Sequence, residues 1–444
     1  MKRSMIVIPV SVLLIALMIG SFFLMNIKPD TSHITKAQKL AEYSKPAVVR
    51  IVDYAVVEWD FLDYNPDVSD YLQQMNNQTI IGGTGSGAII SLNGYIVTNA
   101  HVVEFSKMDD EQIVYAAFEQ MIQEISNYFQ VDINVVYDYM IEYTKYVNIK
   151  RGLKVVLPSG DVLDGEIKSY GAPINEGKDV AVLKIEGKNF PTLKLGNSDR
   201  VQNQDNIWVI GYPAAADSDL LSPDSSLVSS MNTGHISAAS KKTEQGSPVI
   251  QIDAAATHGN SGGPVINENG EIIGLLTFRG DTVNGQEVQG FNFAVPVNTV
   301  KEFVKQAGAD NTRSNTDKLF KEGLELYWGG YYGDALKKFE AVERIYPNHS
   351  EIKRFITESQ QKSKESKILW SNYQTLFFVF DGIALLIIVA LMLFGFILKP
   401  KKKEVAVTNS SIIPDLNEDG KVDIQDILIA LQKQQNKQDN NDEK

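Results

Sequence analysis

Residues 257–264 read THGNSGGP, a run in which one serine lies among three glycines and is followed at once by Pro264. Glycine is needed where the backbone must reach φ values or approach distances that a Cβ forbids. A merely flexible loop would need neither the proline nor the apolar Val265 and Ile266 that come next. The stretch therefore predicts a tight turn that presents Ser261 and then enters a buried strand.

Short apolar segments surround this turn from Pro46 to about Gln306. They are AVVRIV, GSGAIIS, YIVTNA, KVVLPSG, VAVLKI, IWVIGYP, EIIGLLTF and FNFAVPV. Many short β segments separated by Gly, Asn and Pro predict a β-barrel or β-sandwich. Two segments interrupt the pattern. The acidic and aromatic residues 58–79 are predicted to be a surface insertion, and residues 107–147 have helical apolar spacing, which predicts a helical insertion.

Ser261 needs a base, because a serine hydroxyl is a poor nucleophile until its proton is removed. His101 ends an apolar strand in GYIVTNAHVVE, where a lone histidine is more often structural. Asp179 opens another apolar strand in GKDVAVLKI, where a carboxylate can orient an imidazole and stabilise its charged form. The order His101, Asp179, Ser261, with roughly 80 residues between members, is that of a chymotrypsin-type triad.

The segments GTGSGAIIS, GYIVTNAHVV, KDVAVLKI, LGNSDRV, IWVIGYP, GNSGGPVIN and FNFAVPVN resemble the HtrA (Deg) branch of trypsin-like serine proteases over residues 46–306. The resemblance implies a mainly β fold of two six-stranded antiparallel barrels, with the catalytic triad in the cleft between them. It makes His101 the general base, Asp179 its orienting carboxylate and Ser261 the nucleophile. The backbone N–H groups of Gly259 and Ser261 would form the oxyanion hole.

The same resemblance gives an expectation for the substrate pocket. Leu275, Leu276 and Thr277, with the strand at 228–237, are expected to line it and to favour a small or medium apolar residue before the cleaved bond. One departure lies beside the nucleophile: His258 stands where the family commonly has proline. We expect it to be an exposed side chain without a role.

Two apolar runs predict membrane anchoring. Residues 5–25 carry no charge and are long enough to span a bilayer, whereas a cleaved signal peptide would have a shorter apolar region. The second run, 376–398, is followed by KPKKK. Positive charge beside both spans predicts that residues 1–4 and 399–444 are cytoplasmic and that 27–370 lie outside. Asp381, near the outer end of the second span, is expected at the interface.

Composition limits the remaining choices. The chain has 444 residues, a formal net charge of −13 and no cysteine. Disulfides, thiolate zinc sites and cysteine nucleophiles are therefore excluded, and the charge argues against a nucleic-acid-binding surface. A polar leader at 27–45 precedes the β domain.

Residues 316–349 resemble a single tetratricopeptide repeat. Its small, aromatic and terminating positions fall on Gly323, Gly330, Tyr332, Ala335, Phe339 and Pro347. One repeat cannot bury its own apolar face. The segment 316–368 is therefore expected to pack on its own last helix, on the β domain, or on a peptide or protein partner.

The C-terminal tail contains PDLNEDGKVDIQD, which resembles one dockerin or EF-hand calcium loop over residues 415–426. Positions 1, 3, 5, 7, 9 and 12 of such a loop supply the calcium ligands. The residues at these positions are Asp415, Asn417, Asp419, Lys421 (through its carbonyl), Asp423 and Asp426. The alternative is an acidic, solvated tail.

Three functions fit these features. The first is a membrane-anchored serine endopeptidase that cleaves unfolded proteins or membrane and extracytoplasmic proteins. The second is an inactive or latent protease fold that binds partners through the helical repeat. The third is a processing protease with a narrow substrate. The intact triad motifs favour the first, which needs no metal or nucleotide cofactor. A homo-oligomer is also expected by resemblance, because the family often forms trimers.

Overall fold

The computed structural model describes residues 4–63, 65–214, 221–279, 290–393, 416–418 and 424–439. It divides into two compact units, Ile27–Trp370 and the pair of terminal segments Met1–Asn26 and Ser371–Lys444. The larger unit contains all the described strands and most of the helices.

The strands, in chain order, are β1 (Val48–Phe61), β2 (Gln78–Ile89), β3 (Tyr95–Thr98), β4 (Thr144–Val156), β5 (Val162–Asp164), β6 (Glu166–Tyr170), β7 (Ala181–Lys184), β8 (Lys194–Leu195), β9 (Asn206–Gly211), β10 (Ser230–Lys242), β11 (Pro248–Ile252), β12 (Pro264–Ile266), β13 (Glu271–Arg279) and β14 (Asn292–Pro296).

The helices are α1 (Ser4–Met25), α2 (Lys36–Ser44), α3 (Pro66–Gln74), α4 (Asp110–Phe129), α5 (Ile133–Tyr143), α6 (Val297–Gln306), α7 (Asn315–Trp328), α8 (Tyr332–Ile345), α9 (Ile352–Gln361), α10 (Gln374–Met392) and α11 (Ile424–Asp439).

The two β-sheets differ in closure. The second has the order β12-β9-β10-β11-β14-β13-β8, and β12 also pairs with β13, which closes six antiparallel strands into a barrel. The first has the order β5-β4-β1-β2-β3-β7-β6, and no pairing between described strands joins β5 to β6. The prediction of two six-stranded barrels is therefore corrected to one closed six-stranded barrel and one open, seven-stranded half-barrel.

The strands β1, β2 and β4 are the longest of the first sheet and form a ribbon. β1 pairs along its length with both β2 and β4, and the far end of this ribbon extends beyond the barrel core. A separate apolar cluster of β1, β2, α3, α4 and α5 covers that end. The segment predicted as a helical insertion contains α4 and α5, but it ends at Tyr143, because Thr144 already pairs with Phe61.

The face predicted for the helical insertion is buried. Ile113, Ala117, Met121 and Ile125 are each at most 3% exposed, at the 3–4 residue spacing of one helix face. Asp109 caps α4 by accepting the N–H of Gln112, and the side-chain oxygen of Gln112 in turn accepts the N–H of Asp109. The insertion is therefore a small helical layer with its own core.

The helices α7, α8 and α9 form a further apolar cluster, in which the rings of Phe320, Phe339 and Phe355 lie against one another. Gly323 permits the close approach of α8, because a Cβ there would lie 2.5 Å from the ring of Phe339. Asp317 joins this helical layer to the β domain. Its carboxylate accepts the N–H of Thr192 (3.0 Å), and burial raises its pKa to about 6.

In the smaller unit, α1 and α10 lie side by side. The hydroxyl of Ser21 donates to both carboxylate oxygens of Asp381 at 2.7 Å, and the buried positions of each helix follow 3–4 residue spacing. Residues Val7–Met25 and Trp370–Met392 are long and apolar enough to cross a membrane. Residues 394–398 of the second predicted span lie outside the described residues.

Candidate active site

The three predicted catalytic residues come from three chain segments that meet between the two sheets. His101 follows β3, Asp179 precedes β7, and Ser261 precedes β12. The first two therefore belong to the open sheet, and the third belongs to the closed barrel. An apolar cluster that contains residues of both sheets, among them Val48, Ile210 and Leu275, holds the two sheets together.

Asp179 holds His101 through two hydrogen bonds. Its Oδ1 accepts the backbone N–H of His101 at 3.0 Å, and its Oδ2 lies 2.7 Å from Nδ1 of the ring. The hydroxyl of Thr277 also donates to Oδ2, and Asp179 is fully buried. This carboxylate fixes the orientation of the ring and places the Nδ1 proton toward itself, which leaves Nε2 as the basic nitrogen.

The pKa of His101 reflects two opposing effects. Burial of the imidazole lowers it, whereas the hydrogen bond to Asp179, the charge of Asp179 and the charge of Glu104 raise it. The raising effects win, so the pKa of His101 lies above its usual value. A base of this kind accepts a proton more readily than a free imidazole does.

The hydroxyl of Ser261 donates to the carbonyl oxygen of Thr277 at 3.1 Å. Within the described residues no hydrogen bond joins it to His101. Nucleophile–base contacts are often long in the absence of substrate and tighten when it binds. A rotation of the Ser261 side chain is thus required before proton transfer.

The turn before Ser261 presents two unused donors. Gly259 has φ +89°, and a Cβ there would lie 2.3 Å from the carbonyl oxygen of Tyr212. The carbonyl of His258 accepts the N–H of Ala214 at 2.8 Å. Because C=O and N–H point in opposite directions in a trans peptide, the Gly259 N–H faces away from Ala214. Among the described residues, neither this N–H nor that of Ser261 finds an acceptor.

Ser86, fully buried on β2, was missed by sequence reasoning, although it lies in the quoted GTGSGAIIS. Its hydroxyl donates to the carbonyl of Gly259 (2.7 Å) and accepts the N–H of Tyr212 (2.9 Å). Its own N–H donates to the carbonyl of Ser261 (2.8 Å). Ser86 therefore ties the turn of the closed barrel to the open sheet.

A second buried carboxylate supports the segment after His101. Asp53 on β1 accepts the N–H of Ser106 at 3.0 Å and its hydroxyl at 2.5 Å. Burial raises the pKa of Asp53, and the hydrogen bonds from Ser106 partly offset this rise. The link fixes the start of the helical insertion close to the catalytic histidine.

The remaining predicted site residues are placed as follows. Leu275 and Leu276 are buried in two different apolar clusters, and Thr277 joins Asp179 and Ser261. His258 is exposed. Of the calcium-loop residues, Asp415, Asp419, Lys421 and Asp423 lie outside the described residues. No cluster of three or more His, Asp or Glu side chains suited to a metal occurs in the part of the chain that the structure describes.

Comparisons with known proteins agree with this geometry. Residues 85–275 match the family model "Trypsin-like peptidase domain". The chain is 31% identical over 225 residues to "Putative serine protease HhoB" of Synechocystis sp., and 29% identical over 228 residues to "Probable periplasmic serine endoprotease DegP-like" of Ectopseudomonas mendocina. These alignments cover 49% and 51% of this chain but only 39% and 35% of the relatives.

Among solved structures, the HtrA-type protease AlgW with a decapeptide is 22% identical, with a TM-score of 0.39, over 62% of this chain and 67% of that one. The family match, the sequence relatives and the geometry of the site lead to one conclusion. Residues 85–275 are similar to trypsin-like peptidase domains and to serine proteases of the HtrA and DegP type.

Proposed function

We propose that the chain is a serine endopeptidase. The observation that carries the proposal is the buried Asp179–His101 pair beside a turn whose Gly259 and Ser261 amides are free. A nucleophile, a base, an orienting carboxylate and two oxyanion donors are the full set that acyl transfer requires. Similarity to named serine proteases supports the same reaction.

The reaction begins when Ser261 leaves the carbonyl of Thr277 and turns to Nε2 of His101. His101 takes the hydroxyl proton as Oγ attacks the substrate carbonyl, and the N–H groups of Gly259 and Ser261 bind the negative oxygen. His101 then gives the proton to the leaving amine, which leaves an acyl-enzyme. Water, deprotonated by the same nitrogen, attacks the ester and restores Ser261.

We place the substrate side chain that precedes the cleaved bond near Thr277 and residues 228–237, which include the first part of β10. Leu275 and Leu276 are both buried, so we expect them to support the wall of this pocket from the protein interior. A peptide library is expected to yield small or medium apolar residues at this position. A preference for charged residues would contradict this specificity.

We further propose that α1 and α10 anchor the chain in a membrane, with residues 27–370 on the extracytoplasmic side. Length and apolar character support this, as does exposure of their outward residues, such as Phe23 (67%) and Leu386 (71%). Carbonate extraction and protease accessibility of residues 27–370 in spheroplasts would test the topology. Release of the chain by carbonate would contradict it.

Calcium binding by residues 415–426 also stays a proposal. Oδ1 of Asp426, a fully buried carboxylate, accepts the N–H groups of Leu416 (2.6 Å) and Asn417 (3.1 Å), which brings the two ends of the loop together as a calcium loop requires. Calorimetric titration of the full chain and its Asp426→Ala variant with calcium tests it. Equal heats from the two proteins would exclude the loop.

The test of proteolysis compares the full-length chain with its Ser261→Ala variant. Both are incubated with an unfolded protein, and new peptide termini are identified by mass spectrometry. We expect cleavage by the wild type alone. The resting hydrogen bond from Ser261 to Thr277 is also compatible with a latent scaffold. Absence of cleavage by a folded wild-type protein would favour that second function.

A further inference from the structure

A cavity of about 520 Å³ lies where three parts of the larger unit meet, and the catalytic triad does not line it. Its walls come from α2, from the segment that leads into β8, and from α7 and α8. Leu40, Leu193, Phe320 and Leu326 form an apolar wall, and each is less than a tenth exposed. A cavity of this volume suits a ligand of drug or short-peptide size.

The charges around the cavity do not balance. Three carboxylates line it. Glu322 pairs with Lys338 (2.6 Å), and Glu325 pairs with Lys39 (3.4 Å). Asp317 accepts the N–H of Thr192, which carries no charge, and the charge of Arg313 acts on it. Five cations line it as well. Two of these are engaged, Lys338 as above and Lys194 with Glu271 (2.6 Å).

The other three cations are Arg313, Lys318 and Lys321, all exposed. None of them forms an ion pair with a described carboxylate. Lys321 lies over the ring of Tyr43, 4.9 Å from its centroid, and the charge of Arg313 acts on Asp317 and Glu271. Five cations against three carboxylates leave the lining of the cavity with an excess of two positive charges, in a chain whose net charge is −13.

Two buried polar side chains point to a ligand independently of these charges. Ser44, 1% exposed, lines the cavity, and its hydroxyl finds no hydrogen-bond partner in the described residues. His349, 4% exposed, accepts the N–H of Glu351 through Nδ1 (3.3 Å). Burial lowers the pKa of His349 to about 3, so the ring is neutral and its proton lies on Nε2. No described group accepts that proton.

We propose that this cavity binds a short acidic peptide, whose carboxylates pair with Arg313, Lys318 and Lys321 and whose apolar side chains contact the wall of Leu40, Leu193, Phe320 and Leu326. Ser44 and His349 supply donors for backbone carbonyls of the peptide. A free inorganic anion would leave the apolar wall unused, and a purely apolar ligand would leave Lys318 and Lys321 without a carboxylate partner. The site is separate from the triad and goes beyond proteolysis.

Binding is measured by fluorescence anisotropy with the full-length chain in detergent micelles. Every protein carries Ser261→Ala, so the probe is not cleaved and binding is read independently of catalysis. The probe is fluorescein-labelled Leu-Glu-Leu-Glu-Leu, and its matched control is Leu-Gln-Leu-Gln-Leu. Inorganic phosphate serves as competitor. The test variant is Arg313→Gln, Lys318→Gln, Lys321→Gln. The control variant, Lys188→Gln, Lys242→Gln, Lys353→Gln, removes the same charge from exposed positions outside the cavity.

We expect the acidic probe to bind more tightly than the glutamine probe and to weaken with added salt. Three exposed ion pairs together account for about tenfold in affinity, so the test variant should raise Kd by about that factor and the control by less than about twofold. Equal binding of the two probes, an unchanged Kd in a test variant with an unchanged melting temperature, or full displacement by equimolar phosphate would overturn the proposal.

Discussion

Among its described residues, the β domain contains two histidine–aspartate pairs with the same contact pattern. In both, one carboxylate oxygen accepts the backbone N–H of the histidine and the other lies near Nδ1. The ring distance is 2.7 Å for His101–Asp179 and 3.3 Å for His235–Asp253. The pairs differ in burial: Asp179 is fully buried, whereas the Asp253 side chain is 43% exposed.

These two hydrogen-bond contacts alone are therefore not sufficient to make a histidine–aspartate pair catalytic. An exposed ion pair is screened by water and contributes little. The buried carboxylate of Asp179 also receives the hydroxyl of Thr277, whose carbonyl holds Ser261. His101 differs from His235 in two ways. Its carboxylate partner, Asp179, is removed from water, and Thr277 contacts both that carboxylate and the nucleophile Ser261. The following predictions test this difference, from the largest expected effect to the smallest.

Asp179→Asn is expected to lower kcat by about 10⁴-fold, because an amide no longer selects the His101 tautomer that leaves Nε2 basic. The rate is measured with a fluorogenic peptide under saturating conditions. A loss of less than tenfold, with the fold intact by circular dichroism, would contradict the role of Asp179.

Gly259→Ala is expected to lower kcat by about 10²- to 10³-fold, the effect of losing one oxyanion donor. The added Cβ would collide with the carbonyl of Tyr212, and φ +89° disfavours alanine, so the turn must move. Gly246→Ala serves as control, since Gly246 also has positive φ (+81°) but open space around it. Similar losses in both variants would mean that backbone strain alone is responsible.

Ser86→Ala is expected to lower kcat by about tenfold with KM nearly unchanged, because it leaves the Gly259 carbonyl and the Tyr212 N–H unsatisfied in a buried site. The control is Ser91→Ala, which removes a buried hydroxyl that bonds to Asn93. If both variants lose stability but keep kcat, Ser86 is structural and does not position the turn.

The dependence of kcat on pH tests the role of the His101–Asp179 pair. His101 must be neutral to act as base, and its pKa is raised, so kcat should fall as the pH drops through a midpoint above the ordinary histidine value. Glu104→Gln should move this midpoint downward, since the charge of Glu104 raises the pKa of His101. An upward shift would contradict the assignment.

Asp253→Asn is expected to change kcat by less than about twofold and to leave the pH midpoint in place, because the pair it breaks is exposed. The measurement is the same peptide assay. A larger loss would show that His235 takes part in turnover.

The site residues that could be predicted from the sequence are those that lie in short local motifs. Ser261, His101 and Asp179 each lie at a strand end within a distinctive short segment, and the structure gathers them between the sheets. The role of Ser86 could not be seen in this way, because its partners Gly259 and Tyr212 lie 173 and 126 residues away. Its only signal was the small-residue run GTGSG.

Fold details that depend on pairing between strands far apart in the chain could likewise not be predicted from the sequence. Closure of one barrel depends on the pairing of β12 with both β9 and β13, and the other stays open because no pairing between described strands joins β5 to β6. The exposed first half of β4, with Tyr146 and Val147 at 49% and 62% exposure, gave no clear strand pattern. The cavity beside Ser44 is built from three segments that no local pattern connects.

The most direct test of the account is the rate at which a fluorophosphonate probe labels Ser261 in wild type, His101→Ala, His235→Ala and Ser261→Ala. We expect wild type and His235→Ala to be labelled at the same rate, and the other two variants to show no labelling. Labelling of His101→Ala at the wild-type rate, or its loss in a folded His235→Ala protein, would contradict the assignment of the catalytic pair.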